Sequence, residues 1–191
     1  METHPWDQGT RLVHSALAVT VLAQLFTGLV VAKANHPQWL LVHTALGILT
    51  SIVIVVHWIW TWARRDIQVL FPWSRAGLAQ VGRELFGVFR GKLPGYGDTV
   101  GLSSFVHGIG LLAVSSMAVT GLLMYFVIPG GYGLSLHSTA YGLFTTLATM
   151  HLWLSYMVWF YLGGHIFFAA LHEVLGNHVL RHFYAGQKVR H

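Results

Sequence analysis

Residues 136–151 read LHSTAYGLFTTLATMH, with two histidines, His137 and His151, fourteen residues apart in an apolar run. At about 1.5 Å rise and 100° turn per residue, fourteen helical steps return the second imidazole to nearly the same face, roughly 21 Å along the axis. An ionisable side chain inside a membrane-crossing helix is costly, so a functional role is its default reading, and neutral imidazole is a common metal ligand. Two properties of the remaining chain then matter: whether it crosses a membrane, and whether other histidines stand at matching depths.

Composition answers the first. Hydrophobic residues make up 54% of the 191 and charged residues 9%, and the mean hydropathy is +0.58, too apolar for a soluble domain of this length. The chain has no cysteine, which excludes covalently attached c-type haem, thiolate-held iron–sulfur clusters and disulfides. A net charge of +5 invites a nucleic-acid reading. However, ten of the eleven Lys and Arg residues fall in what would be cytoplasmic segments, so positive-inside bias accounts for the charge and no nucleic acid is expected.

Four stretches are long enough to cross a hydrocarbon core of about 30 Å: 12–32, 40–62, 104–127 and 137–163. The expected fold is an all-α membrane protein, a four-transmembrane-helix bundle forming a single domain over 1–191. Connector 63–103 carries Arg64, Arg65, Arg75, Arg83, Arg90 and Lys92, whereas the two opposite loops hold only Lys33. Both termini are therefore placed in the cytoplasm. Ala32-Lys33-Ala34 resembles a signal cleavage site, but the preceding apolar run is too long for a typical signal core. Trp39 on one side and Trp58, Trp60 and Trp62 on the other suit interfacial belts. Within the connector, Leu78, Val81, Leu85, Val88 and Phe89 share one helical face, with Ser74 as N-cap, so an amphipathic helix along the headgroups is expected. Leu171, Val174, Leu175 and Val179 suggest a second interfacial connector after span four.

An internal repeat organises the histidines. His14 and Thr27-Gly28 recur 93 residues later as His107 and Thr120-Gly121, and His43 and His57 recur 94 residues later as His137 and His151. The halves, about 11–92 and 104–186, start from the same side, so they are expected as parallel helical hairpins. Gly28 and Gly121 lie fourteen residues after His14 and His107, where a missing side chain admits a flat ligand to the backbone or serves ordinary helix packing. Bis-histidine haem b, two or three copies, is the cofactor these spacings suggest. By depth, His43 pairs with His137 near the non-cytoplasmic face. His14, His57, His107 and His151 converge at the other, leaving three arrangements open: His57 with His151, His14 with His151, or the latter plus His107 with His57.

These motifs carry a resemblance. Arg11-Leu-Val-His14, His43-Thr-Ala-Leu-Gly47, Thr120-Gly121, and His137 with His151 resemble, in order and spacing, the bacterial cytochrome b561 family, which includes cytochrome b subunits of nickel–iron hydrogenase and formate dehydrogenase. The resemblance covers nearly the whole chain. It implies His43 and His137 on a non-cytoplasmic haem, His14 and His151 on a cytoplasmic one, and electron transfer between quinone and a partner redox protein. Where formate dehydrogenase subunits keep Asn and Gln near quinone, this chain reads Tyr96-Gly97-Asp98-Thr99-Val100-Gly101, making Asp98 and Thr99 the candidate quinone contacts.

Two bound axial positions would leave no site for oxygen and favour electron transfer. The second imidazole nitrogen is expected to find a hydroxyl such as Thr44 or Ser138, and His107, Asp98, His165 or His172 to serve quinone protonation. Two other functions compete: a self-contained quinone-linked oxidoreductase, for instance of the superoxide oxidase kind, and a non-redox proton or metal transporter. Almost no carboxylate lies within the spans, which weighs against the transporter.

Overall fold

The computed structural model describes residues 7–33, 37–91, 101–127 and 139–175. These form six helices: α1 (Gln8–Lys33), α2 (Pro37–Ala63), α3 (Ile67–Leu70), α4 (Arg75–Phe89), α5 (Leu102–Val127) and α6 (Thr139–Val174). No strand occurs among the described residues. Helices α1, α2, α5 and α6 are each long and apolar enough to cross a membrane. Their large apolar side chains turn outward, as at Leu41 (72% exposed) and Phe160 (86%), a surface suited to lipid rather than water.

Span four departs most from its expected bounds. Its described part runs 36 residues from Thr139 to Val174, roughly 54 Å at helical rise, and passes the expected end at 163. Leu171 and Val174, expected in a separate connector, belong to this helix. Gly163 and Gly164 do not interrupt it, and a Cβ at either would meet nothing within 4 Å.

The caps explain where the helices begin and end. Asp7 caps α1: its carboxylate accepts the Thr10 N–H at 2.7 Å and its carbonyl the Arg11 N–H at 3.0 Å. Helix α2 closes with Arg65 in the left-handed region (φ 59°), its N–H bonded to the Trp62 carbonyl while that of Asp66 reaches Thr61, the two bonds of a Schellman ending. The amphipathic α4 forms as expected, with the Ser74 side chain accepting the Gly77 N–H at 3.0 Å. Glu84 of α4 then accepts the Leu102 N–H at 2.6 Å, which caps the N-terminus of α5 from a different helix.

Two compact units make up the chain. One contains residues up to 14, 58–110 and 161 onward. In it Trp58 stacks on Phe71, Phe71 on Trp73, and Trp73 meets Phe105 edge-on, with centroids 5.9, 6.1 and 6.0 Å apart. Trp60 donates its indole N–H to Thr10 at 3.1 Å, and Arg64 pairs with Asp7. The other unit contains residues 15–57 and 111–160, with a core of Leu25, Ile54, Leu111, Val114, Leu147 and Val158.

Candidate metal centres

The second unit presents two imidazoles to each other. His43 of α2 and His151 of α6 have ring centroids 6.3 Å apart and planes 87° apart. Each is held by a threonine on a neighbouring helix: Thr27 Oγ1 lies 3.0 Å from His43 Nδ1, and Thr120 Oγ1 lies 2.9 Å from His151 Nδ1. Both threonines are buried. Their hydroxyls also sit within bonding distance of carbonyls one turn back, Ala23 for Thr27 (2.9 Å) and Ser116 for Thr120 (3.0 Å). A hydroxyl whose hydrogen goes to a carbonyl must accept from the ring, so Nδ1 carries the proton and Nε2 keeps the lone pair.

The glycines following these threonines are matched too. A Cβ on Gly28 would stand 3.3 Å from His43 Cε1, and one on Gly121 would stand 3.4 Å from His151 Cε1. A side chain there would press on the ring edge, so each Thr-Gly pair seats an imidazole by hydroxyl and by empty space. On the α1 side alone, the Gln24 amide reaches Thr27 Oγ1 at 3.3 Å and covers Gly47, where a Cβ would lie 2.6 Å from Nε2.

The first unit gathers three histidines. One ring nitrogen each from His14, His107 and His165 lies within 4.8 Å of the other two. Ring centroids are 6.3 Å apart for His14 and His165, 6.5 Å for His14 and His107, and 5.0 Å for His107 and His165. His107 Nδ1 lies 2.7 Å from the Ser103 carbonyl, and Tyr161 stacks on His165 at 5.7 Å.

Several expected partners change. His151 faces His43 rather than His14, and His14 belongs to the other unit with His107 and His165. His57 belongs to the unit of His43 and His151. His137, Ser138, Asp98 and Thr99 lie outside the described residues. The hydroxyl on His43 comes from Thr27, across a helix pair, and not from the adjacent Thr44. The contacts also shift the expected repeat register, because Thr27 relates to His43 as Thr120 does to His151, fourteen residues beyond His137. His165, expected as a candidate for quinone protonation, stands instead beside His14 and His107. Its signal was present, since it follows His151 by the same fourteen residues that separate His137 from His151.

A family model for prokaryotic cytochrome b561 matches residues 5–186. The chain belongs to the prokaryotic cytochrome b561 family. No curated protein and no solved structure matches it significantly. As a member of that family this cytochrome is a membrane b-type cytochrome of electron transfer, and the family implies haem b. The residues fit that group. A metal bonded at about 2 Å to one nitrogen of each of two opposed imidazoles sets the ring centres roughly 6 Å apart, as found for His43 with His151 and for His14 with His165. Both rings of the first pair have Nδ1 engaged, which is the usual second contact of a metal-binding histidine.

Proposed function

We propose that His43 and His151 would hold one haem b and His14 and His165 a second. The protein then carries electrons across a bacterial inner membrane between the quinone pool and a partner redox protein. The observation that supports this best is the matched pair of threonine-held imidazoles, His43 and His151, at a separation suited to one metal between them.

Haem b supplies reversible one-electron chemistry when bound. The chain's own residues hold and insulate it. Thr27 and Thr120 fix the tautomer of His43 and His151, turning both Nε2 lone pairs to the ligating role. Two imidazoles for each haem would leave no open position for oxygen, which would favour electron transfer over oxygen activation. The apolar exterior of α1, α2, α5 and α6 keeps the sites in lipid, and the arginines of the 63–103 connector orient that connector to the cytoplasm. Asp98 and Thr99 are the proposed hydrogen-bond partners of quinone.

Haem per polypeptide, measured as pyridine haemochrome on protein in mild detergent, tests the ligand set. Two per chain are expected, with His43→Ala and His151→Ala each removing the same one and His14→Ala removing the other. Full haem content in either His43→Ala or His151→Ala would sink the first pairing.

A further inference from the structure

Helix α4 carries none of the clustered histidines, and its outward surface combines two chemistries. At about 100° per residue its side chains fall into three strips. Gly77 and Val81 are buried and mark the strip packed against the rest of the protein. Leu78, Leu85 and Phe89 form a second strip roughly 80° away, all three exposed, Phe89 to 81%. Arg75, Arg83 and the C-cap Arg90 are exposed too and form a third, nearly opposite the packed strip. We propose that α4 binds an anionic phospholipid, its leucines and Phe89 against the acyl chains and its three arginines on the phosphate.

Contacts within the first unit hold α4 at the depth where headgroups lie. Leu102 begins α5, one of the helices long and apolar enough to cross a membrane, and Glu84 from the middle of α4 accepts its N–H at 2.6 Å. The segment leading into α4 is fixed to the same stretch of α5. Trp73 meets Phe105 edge-on at 6.0 Å, and a Cβ on Gly108 would stand 2.5 Å from the Leu70 carbonyl oxygen and 2.9 Å from the Phe71 ring. Both attachments fall within the opening turns of α5, so α4 stands at the mouth of that span, where acyl chains and phosphates meet.

The arginines of α4 need an anion that the chain does not give them. Among the described residues, Asp7 and Asp66 pair with Arg64, and no carboxylate pairs with Arg75, Arg83 or Arg90. Glu84 is turned to α5, and Arg83 reaches it only through Gln80: the guanidinium donates to Gln80 Oε1 at 2.6 Å, and the Gln80 amide donates to Glu84 Oε1 at 2.5 Å. Arg90 lies over the exposed ring of Phe86 at 4.1 Å, which joins the basic strip to the apolar one. A phospholipid supplies hydrocarbon and phosphate side by side, whereas a free phosphate or an acidic loop supplies only the charge. A zwitterionic headgroup cancels its phosphate with its own ammonium, so a headgroup of net negative charge is the one that three arginines select.

The test titrates the purified full-length protein, in mild detergent at low ionic strength, with phosphatidylglycerol or phosphatidylcholine of matched acyl chains, and counts bound lipid by native mass spectrometry. Phosphatidylglycerol is expected to bind more tightly. Each basic side chain near an anionic surface strengthens association roughly fivefold. Arg75→Gln, Arg83→Gln and Arg90→Gln are therefore each expected to cut the preference at the tightest site by about that factor, and the three together to abolish it. A monodisperse size-exclusion profile in every variant reports folding. Leu85→Ser combined with Phe89→Ser should weaken both lipids and keep their ratio. No preference in the unaltered protein, a preference that survives the triple arginine variant, or full lipid affinity in the Leu85→Ser, Phe89→Ser protein overturns the proposal. Displacement of phosphatidylglycerol by glycerol phosphate or an acidic peptide at equal concentration would also overturn it, because the arginines would then be reading a soluble anion and not a lipid.

Discussion

At the scale of single residues, two threonines carry the proposed ligand site. Thr27 and Thr120 are buried, each holding Nδ1 of a histidine on another helix. Replacing either by valine keeps the shape and removes the acceptor, leaving a ring N–H without its partner. Partners of this kind typically contribute 10- to 100-fold to metal affinity. Thr27→Val and Thr120→Val are therefore each expected to weaken haem retention by roughly that factor, measured as transfer to a haem scavenger. The haem on His14 should be unaffected in both. Unchanged retention in both variants would mean that the hydroxyls serve only their own helices, through the carbonyls of Ala23 and Ser116. The importance of Thr27 was half legible in the sequence: the repeated Thr-Gly pair stood out, but sequence adjacency pointed to Thr44 as the hydroxyl on His43. Hydrogen bonding follows space, and α1 and α2 bring Thr27 to a ring sixteen residues away.

At the scale of elements, the ends of α1 and α2 are specified by local chemistry and share one acidic residue. Asp7 caps α1 and pairs with Arg64 at the end of α2. The Thr10 backbone N–H holds the Asp7 carboxyl below the usual carboxylate range, with Arg64 adding in the same direction. A carboxylate whose folded pKa is depressed contributes stability above its unfolded pKa and loses it as pH falls through the folded value. Thermal stability in detergent should accordingly hold from neutral pH down to about 4 and then fall, and Asp7→Asn should flatten that acid limb while lowering the neutral plateau. Arg65 offers the opposite case. Its left-handed backbone (φ 59°) strains any residue with a Cβ, by roughly 1 kcal/mol, whereas the equivalent turn after α4 uses Gly91 (φ 73°). Arg65→Gly should raise the melting temperature by a few degrees, and a fall would mean that the arginine side chain contributes more than its backbone costs. The Ser74 cap of α4 was readable in advance because capping depends on three adjacent residues. The cap on α5 was not, because Glu84 reaches Leu102 from another helix.

At the scale of the whole molecule, the proposed orientation rests on the arginine-rich connector. With no cysteine in the chain, a single Arg83→Cys on the exposed side of α4 reports its compartment cleanly. An impermeant maleimide is expected to label it only after the inner membrane is opened, and labelling in intact spheroplasts would invert the proposed topology. Composition alone determined that this chain enters a membrane and crosses it four times, since apolar runs of the required length have no stable alternative there. The order of its short motifs likewise determined its family. Tertiary structure decided which imidazoles meet. Histidines fourteen residues apart share a helix face whether the pair is His137 and His151 or His151 and His165, so periodicity is blind to the choice. What selects among them is which turn of α6 stands opposite His43. No local rule sets that slide; the packing around Thr120, Gly121 and His151 does, where, among the described residues, a hydroxyl, an empty Cβ position and a facing imidazole coincide.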